Sequence, residues 1–332
     1  MPDSTQNPRS LHLPSSLSDW GGLVQAAHAR IHASVMLTPL EPAPQWLANP
    51  EACFFKREDL QETGSFKLRG ATNKILSLSA DDARRGVIAA SNGNHGLGVA
   101  FAALRAGIAA EIYVSSHVSP AKAARIEQLG ATLRRMGTDP LEAELGARAA
   151  AEECGKVFIS PYNDVEVIAG QGTIAVELEQ QAPKLNAVFV AVGGGGLIGG
   201  IGAYLKSSSP ATEIVGCWPE NSCVMYESIK AGCILDVPEQ PTLSESTAGG
   251  LEPGSVTLDI CRQVIDRSVL VSEAEILAAM CRVRETEGWL MEGAAAVAVS
   301  AYQRERERYA AKRVAIIICG GNVSPEVANK VS

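Results

Sequence analysis

Apolar and polar positions change period in blocks along the 332-residue chain. Short apolar runs at 87–90, 112–114, 131–136 and 157–160 have strand length. Between them lie amphipathic stretches of helix length at about 95–105, from Ser119-Pro120 to Gly130, and at about 141–153. Ser119 and Pro120 supply an N-cap and a first-turn proline, and Gly107 and Gly130 stand where helices stop. The second half repeats the pattern. A helix at 172–181 leads to a strand at 187–192, a glycine loop, a helix at 197–206 and a strand at 213–217. Residues 219–256 are the least regular stretch. A helix near 258–265, a strand at 268–271, helices at 273–287 and 293–311 and a strand at 314–319 complete the chain. Upstream, residues 1–19 read as a loose arm, followed by a helix over about 20–34. A connector with four prolines spans 39–50, before a strand at 53–56 and a helix over about 66–78. Such alternation predicts βαβ units around a parallel sheet, an α/β fold.

The length suggests two domains, and 46% hydrophobic with 20% charged residues describes a well-packed globule. A formal net charge of −8 without a long basic cluster argues against nucleic acid and anionic membrane surfaces as partners. No apolar stretch approaches the ~18 residues of a membrane span. The start, Met1-Pro2-Asp3-Ser4, lacks the charged and apolar regions of a secretory signal. Eight cysteines contain no Cys-x-x-Cys pair, and several lie in apolar runs, so free buried thiols in a reducing cytoplasm are expected.

Three stretches carry candidate chemistry. The loop Gly193-Gly194-Gly195-Gly196-Leu197 joins a buried strand to a helix. It gathers backbone N–H groups and the positive end of a helix dipole without Cβ atoms in the way, which suits an anion such as phosphate. Gly194-x-Gly196-x-x-Gly199 with Glu220 also matches a dinucleotide fingerprint, which would make the chain a nicotinamide-dependent oxidoreductase. The turn Ser91-Asn92-Gly93-Asn94-His95-Gly96 follows a strand end, where open α/β sheets bind ligands. Ser91, Asn94 and the loop amides can donate to a carboxylate or phenolate. His95 at a helix start reads first as a structural residue. Lys67, between Gly64 and Gly70, is the candidate nucleophile, since burial lowers a lysine pKa and frees its amine, and Phe66 can pack beneath a planar ring. Taken singly, a surface lysine, a flexible glycine turn and an inert thiol at Cys319 account for these residues equally well.

Taken together they resemble one family. Ser65-Phe66-Lys67-Leu68-Arg69-Gly70-Ala71, Ser91-x-Gly93-Asn94-His95-Gly96, Ala169-Gly170-Gln171-Gly172-Thr173, the glycine loop and Cys319-Gly320-Gly321-Asn322 occur in the order found in serine/threonine dehydratases. These are fold-type II pyridoxal phosphate enzymes with tryptophan synthase β-like architecture, and the resemblance covers about residues 35–325. It implies open, mostly parallel sheets flanked by helices, with pyridoxal 5'-phosphate in an interdomain cleft. Residues 1–80 and 160–332 would form the large cofactor-binding domain and residues 86–158 a small mobile one. It further implies that Lys67 holds the cofactor and then moves the Cα proton, that Phe66 packs on the ring, and that Asn94 bonds the ring oxygen. Gly193, Gly194, Gly195, Gly196 and Leu197 would cradle the phosphate, and Cys319 would face the pyridine nitrogen. A neutral thiol there makes a weaker electron sink than a carboxylate partner would and suits prompt β-elimination. Ser91, Asn92, Asn94 and His95 are the expected substrate contacts, and a homodimer is the family's expected assembly.

Departures sharpen the expectation. Family racemases carry a serine base where this chain has Asn92, so elimination is favoured over racemisation. Trp218 and Val224 stand where metal-stabilised members have acidic ligands, so no metal site is expected. The chain stops ten residues after Asn322, so no C-terminal feedback domain is expected. The segments Trp218-Pro219-Glu220-Asn221-Ser222 and 245–255 resemble the dehydratase subgroup associated with hydroxyectoine utilisation. Glu292 is left with two readings, one facing the cofactor and one as a solvated helix-start residue.

Overall fold

The computed structural model describes residues 13–331, so residues 1–12 of the expected arm and residue 332 lie outside the described residues. The chain opens with α1 (Leu17–Ile31), which starts earlier than its apolar pattern suggested. Ser16 accepts the Asp19 N–H and the Asp19 carboxylate reaches back to the Ser16 N–H, a capping box that sets the start. The proline-bearing connector hides a short strand, β1 (Leu40–Pro42), antiparallel to β2 (Cys53–Arg57) at the sheet edge, where proline is tolerated. Then come α2 (Lys67–Leu76), α3 (Ala80–Arg85), β3 (Val87–Ala90), α4 (Asn94–Ala106), β4 (Ala110–Val114), α5 (Pro120–Gln128), β5 (Thr132–Arg135), α6 (Pro140–Cys154) and β6 (Val157–Phe158). The remainder is α7 (Val165–Gln181), β7 (Ala187–Ala191), α8 (Gly196–Ser208), β8 (Glu213–Pro219), α9 (Val224–Ala231), α10 (Thr257–Val264), β9 (Arg267–Val271), α11 (Glu273–Glu287), α12 (Gly293–Glu305), β10 (Val314–Ile318) and α13 (Pro325–Lys330).

These strands form two sheets. The six-stranded sheet runs β1-β2-β10-β7-β8-β9, parallel except for β1, and the four-stranded sheet runs β5-β4-β3-β6, wholly parallel. The central strands β7 and β10 are buried at every position, as strands covered on both faces must be. Helix α12 lies along β7 to β10, while α4 and α6 pack on the smaller sheet. Helix α2 packs on α4 and on α7 and so stands between the two sheets. This architecture matches the expected α/β class, with β1, α3 and α13 added to the expected elements.

Two further stretches differ from expectation. Helix α7 spans 17 residues and not just 172–181, because Gly170 and Gly172 are packing positions here and not breakers. A Cβ on Gly170 would sit 2.7 Å from the Gly70 Cα, and one on Gly172 would sit 2.8 Å from the Gly200 carbonyl oxygen. Small residues thus let α2, α7 and α8 approach closely. The irregular stretch 219–256 contains α9, an eight-residue helix ended by Gly232 in the left-handed region (φ 76°).

A buried ion cluster fixes α2. The Arg69 guanidinium, fully buried, donates to both Glu58 oxygens (2.7 and 2.8 Å) and both Glu177 oxygens (2.6 and 2.9 Å). Lys56, also buried, joins Glu177 at 2.5 Å and the Thr38 carbonyl at 2.8 Å. Burial alone would raise the Glu58 carboxyl, yet Arg69 and Lys56 hold it below its ordinary value. Replacing Arg69 by Met leaves two buried carboxylates to share one lysine. Denaturant unfolding of Arg69→Met should therefore show a loss of about 3–5 kcal/mol. A loss below about 1 kcal/mol would contradict the cluster's role in holding α2.

Candidate active site

Lys67 is placed by main-chain bonds before any side chain acts. The Phe66 N–H donates to the Cys319 carbonyl at 3.0 Å, the Gly321 N–H donates to the Gly64 carbonyl at 3.0 Å, and Ser65 bridges Gly320. The segment before α2 is therefore stitched across the carboxyl end of β10. Gly64 lies in the left-handed region (φ 77°), and a Cβ there would meet the Asn322 amide at 2.7 Å. Lys67 then opens α2 with its amine donating to the Pro161 carbonyl at 2.8 Å, 5.1 Å from the centre of the Phe66 ring. Burial pulls this amine down to about 8, partly offset by Glu292 and Cys319.

The glycine loop lies on the wall of the same cavity. Gly195, in the left-handed region (φ 84°), forms the N-cap of α8, and a Cβ on Gly194 would overlap the Tyr162 ring. A Cβ on Gly193 would come 2.8 Å from the Thr247 Cα. Among the described residues no acceptor is bonded to the amides of Gly193, Gly194, Gly196 or Leu197, as at any open helix start. The cavity measures about 720 Å³ and is lined by Phe66, Lys67, these five loop residues, Tyr162, Thr247 and Cys319. Segment 246–253 and α6 form its outer wall.

Of the expected site residues, Lys67, Phe66, Gly193, Gly194, Gly195, Gly196, Leu197 and Cys319 thus share one cavity, but the Ser91 turn does not line it. Ser91 accepts the Gly93 N–H at 3.0 Å. Asn92 spends both ends of its amide on Ser115, donating to its hydroxyl (2.8 Å) and accepting from its N–H (2.9 Å). His95 Nε2 meets the Ile159 carbonyl at 2.9 Å, and burial pushes the ring down to about 3, so it stays neutral. Asn92 and His95, expected at the substrate, are committed to fixing the turn. Asn94 bonds outside its own turn, donating to Glu292 at 2.8 Å and accepting from Asn322 at 2.8 Å.

The structure adds Ser246 and Tyr162, gives Asn322 a partner in Asn94, and decides between the two readings of Glu292. Glu292 is buried (6% exposed) and bonds Asn94, Ser246 and Cys319, so the solvated reading fails. Burial and Glu292 raise the Cys319 thiol well above its ordinary value, which keeps it protonated. The dinucleotide reading loses its acid, because Glu220 is half exposed and lies 3.6 Å from Arg304. Trp218 and Val224 are buried apolar side chains.

A lysine amine near neutrality, an open helix N-terminus and a protonated thiol around one cavity form the donor set for a phosphorylated, electron-withdrawing aldehyde. The family model for pyridoxal-phosphate dependent enzymes matches residues 32–320. The chain belongs to this family. Among its relatives in the family, the L-threonine ammonia-lyase of Thermotoga maritima is 40% identical over 278 residues, covering 84% of this chain and 69% of that protein. The beta-hydroxyaspartate dehydratase of Paracoccus denitrificans is 33% identical over 299 residues, 90% of this chain and 94% of the relative. The processed form of threonine deaminase isoform 2 from Solanum lycopersicum superimposes with a TM-score of 0.88 at 32% identity, covering 95% and 92% of the two chains. The residues of this pyridoxal-phosphate family member fit the group: Lys67 would hold it, the loop amides would take its phosphate, and Cys319 would face its ring.

The depressed Lys67 amine has a consequence for stability. Between pH 8 and 10.5 the folded chain carries a neutral amine where the unfolded chain is protonated, so this group's penalty on folding shrinks as pH rises. Apoprotein Lys67→Met should therefore be more stable than wild type at pH 7, by on the order of 2–3 kcal/mol. The gap should close towards pH 10.5. A pH-independent gap in chemical unfolding would contradict the buried, neutral-leaning amine.

Proposed function

We propose that the protein is a pyridoxal phosphate-dependent dehydratase, an ammonia-lyase that eliminates water from a β-hydroxy-α-amino acid of the threonine or serine type. The enamine left after loss of water is released and hydrolysed by water, giving a 2-oxo acid and ammonia. The observation that carries this reading is the Lys67 amine, brought down to about 8, opening onto the cavity shared by the glycine loop and Cys319. When bound, the cofactor supplies the electron sink that acidifies the substrate's Cα–H. Lys67 takes the Cα proton, and the loop amides of Gly193, Gly194, Gly196 and Leu197 hold the anionic end of the ligand in place. Cys319, kept protonated, offers the ring no anion, which favours prompt loss of the β-hydroxyl over a long-lived carbanion. Asn92, bound at both ends to Ser115, offers no second base opposite Lys67, which supports elimination over racemisation.

A second reading concerns the substrate. Residues 246–253 line the cavity, so the segment that resembles the hydroxyectoine-utilisation subgroup is part of the site and not a remote surface loop. That supports a hydroxyectoine-derived hydroxy amino acid as the preferred substrate. The reading also includes a cytoplasmic homodimer in which residues 86–158 move as a small domain. The eight cysteines, all free, support the reducing compartment, and family resemblance supports the assembly and the motion.

Purified protein loaded with pyridoxal phosphate should release a 2-oxo acid and equimolar ammonia from at least one of L-threonine, L-serine, 3-hydroxyaspartate and a hydroxyectoine-derived hydroxy amino acid. Lys67→Ala should lower turnover by roughly 10²–10⁴-fold. Interconversion of serine enantiomers without 2-oxo acid would overturn the lyase reading. Threonine turnover equal to or above that of the hydroxyectoine-derived substrate would overturn the second reading.

A further inference from the structure

Glu292 occupies the N-cap position of α12, where a carboxylate ordinarily accepts helix amides, yet its side chain makes no capping bond. Instead it turns into the protein, past Gly320, where a Cβ would come within 2.7 Å of its carboxyl carbon. Its two oxygens collect donors from three separate segments: Asn94 at the start of α4 (2.8 Å), Ser246 in the cavity-wall loop (3.0 Å) and the Cys319 thiol at the end of β10 (3.6 Å). Helix capping would need none of these, and two of the three donors, Ser246 and Cys319, line the cavity that also holds Lys67.

We infer that Glu292 is a positioning residue: one carboxylate sets the free N–H of Asn94, the direction of the Cys319 thiol and the seat of the Ser246 loop around the ring-binding end of the cavity. The inference rests on the cofactor reading above. The amide chain makes the Asn94 part specific. Asn322 spends both hydrogens of its Nδ2 on the Thr63 carbonyl and Asn94 Oδ1, each at 2.8 Å. Asn94 must therefore present its NH2 to Glu292, which leaves one N–H for an anionic ring oxygen. Without the carboxylate, nothing on the other side of that amide holds it. The thiol likewise has its hydrogen directed to Glu292, which fixes the face that the sulfur would offer to a bound ring. Ser246 ties the outer wall to the same point, so loop and ring contacts are linked through one group.

The test compares wild type, Glu292→Gln and Ser246→Ala, each as apoprotein titrated with pyridoxal phosphate. Glu292→Gln should weaken pyridoxal phosphate binding roughly ten- to a hundredfold, because an amide, with one acceptor oxygen and one NH2, cannot accept on both sides as Glu292 does. It should also shift the absorption maximum of the bound cofactor. In the apoprotein, amide exchange over residues 245–252 should quicken in both variants. Ser246→Ala should weaken binding only a few-fold and leave the maximum in place, since Asn94 and Cys319 keep their partner. Should Glu292→Gln fail to fold, Glu292→Asp, which keeps the charge but draws it back by one methylene, should shift affinity and maximum in the same direction. A folded Glu292→Gln or Glu292→Asp with wild-type affinity and maximum, even if less stable, overturns the positioning role and leaves the cofactor reading intact. A wild-type protein that takes up no pyridoxal phosphate overturns both.

Discussion

Arg69 has no access to water and four carboxylate oxygens within hydrogen-bond reach, two from Glu58 and two from Glu177. A buried ion cluster is a poor way to gain stability, since well-packed apolar groups of the same volume often do as well. Its value here is directional. The bidentate pairing on two sides allows α2 one rotation and one height against α7 and the turn at Glu58. Two positions earlier on the same helix, and so roughly 200° around it, Lys67 faces the cavity. The residue that must be wholly charged and the residue that must lose its charge are thus carried back to back by one short helix.

The environments on the two sides differ in one respect. Arg69 meets anions in excess, whereas Lys67 meets a backbone carbonyl, an aromatic ring and a single carboxylate, Glu292, which is itself shared among three donors. Burial therefore wins at Lys67 and loses at Arg69. At the other end of the cavity the design is the absence of side chains. The glycines of the loop bring the backbone against Tyr162 and Thr247 and, among the described residues, leave four amides with no acceptor bonded to them. Amine, amides and thiol come from α2, the β7–α8 loop and the end of β10. All lie at the carboxyl ends of parallel strands, where such sheets place ligands.

The parts legible in the sequence were those decided locally. Buried strands such as β7 and β10, the capped start of α5 and the glycine loop each announce themselves within a few residues, and the lysine segment did so once its family order was seen. Helix α7 was truncated in the reading because Gly170 and Gly172 look like breakers until α2 and α8 are brought against them. The strand β1 was hidden among prolines that an edge position tolerates. His95 was legible from its helix-start position as a structural residue, whereas nothing in the turn itself reveals Ser115 as the partner of Asn92 or the Ile159 carbonyl as that of His95. Glu292 was the hardest. Its donors lie 198 residues away at Asn94 and 46 away at Ser246, and no local pattern distinguishes that acid from any other glutamate before a helix.

The central claim is that Lys67, and no other amine, is the residue to which the cofactor is joined. Borohydride reduction of the purified, pyridoxal phosphate-loaded protein, followed by peptide mapping by mass spectrometry, tests it most directly. The account predicts a single pyridoxyl-phosphate adduct on the peptide carrying Lys67. Adducts spread over exposed lysines, or an intact Lys67 peptide in a protein that stays yellow, would contradict it.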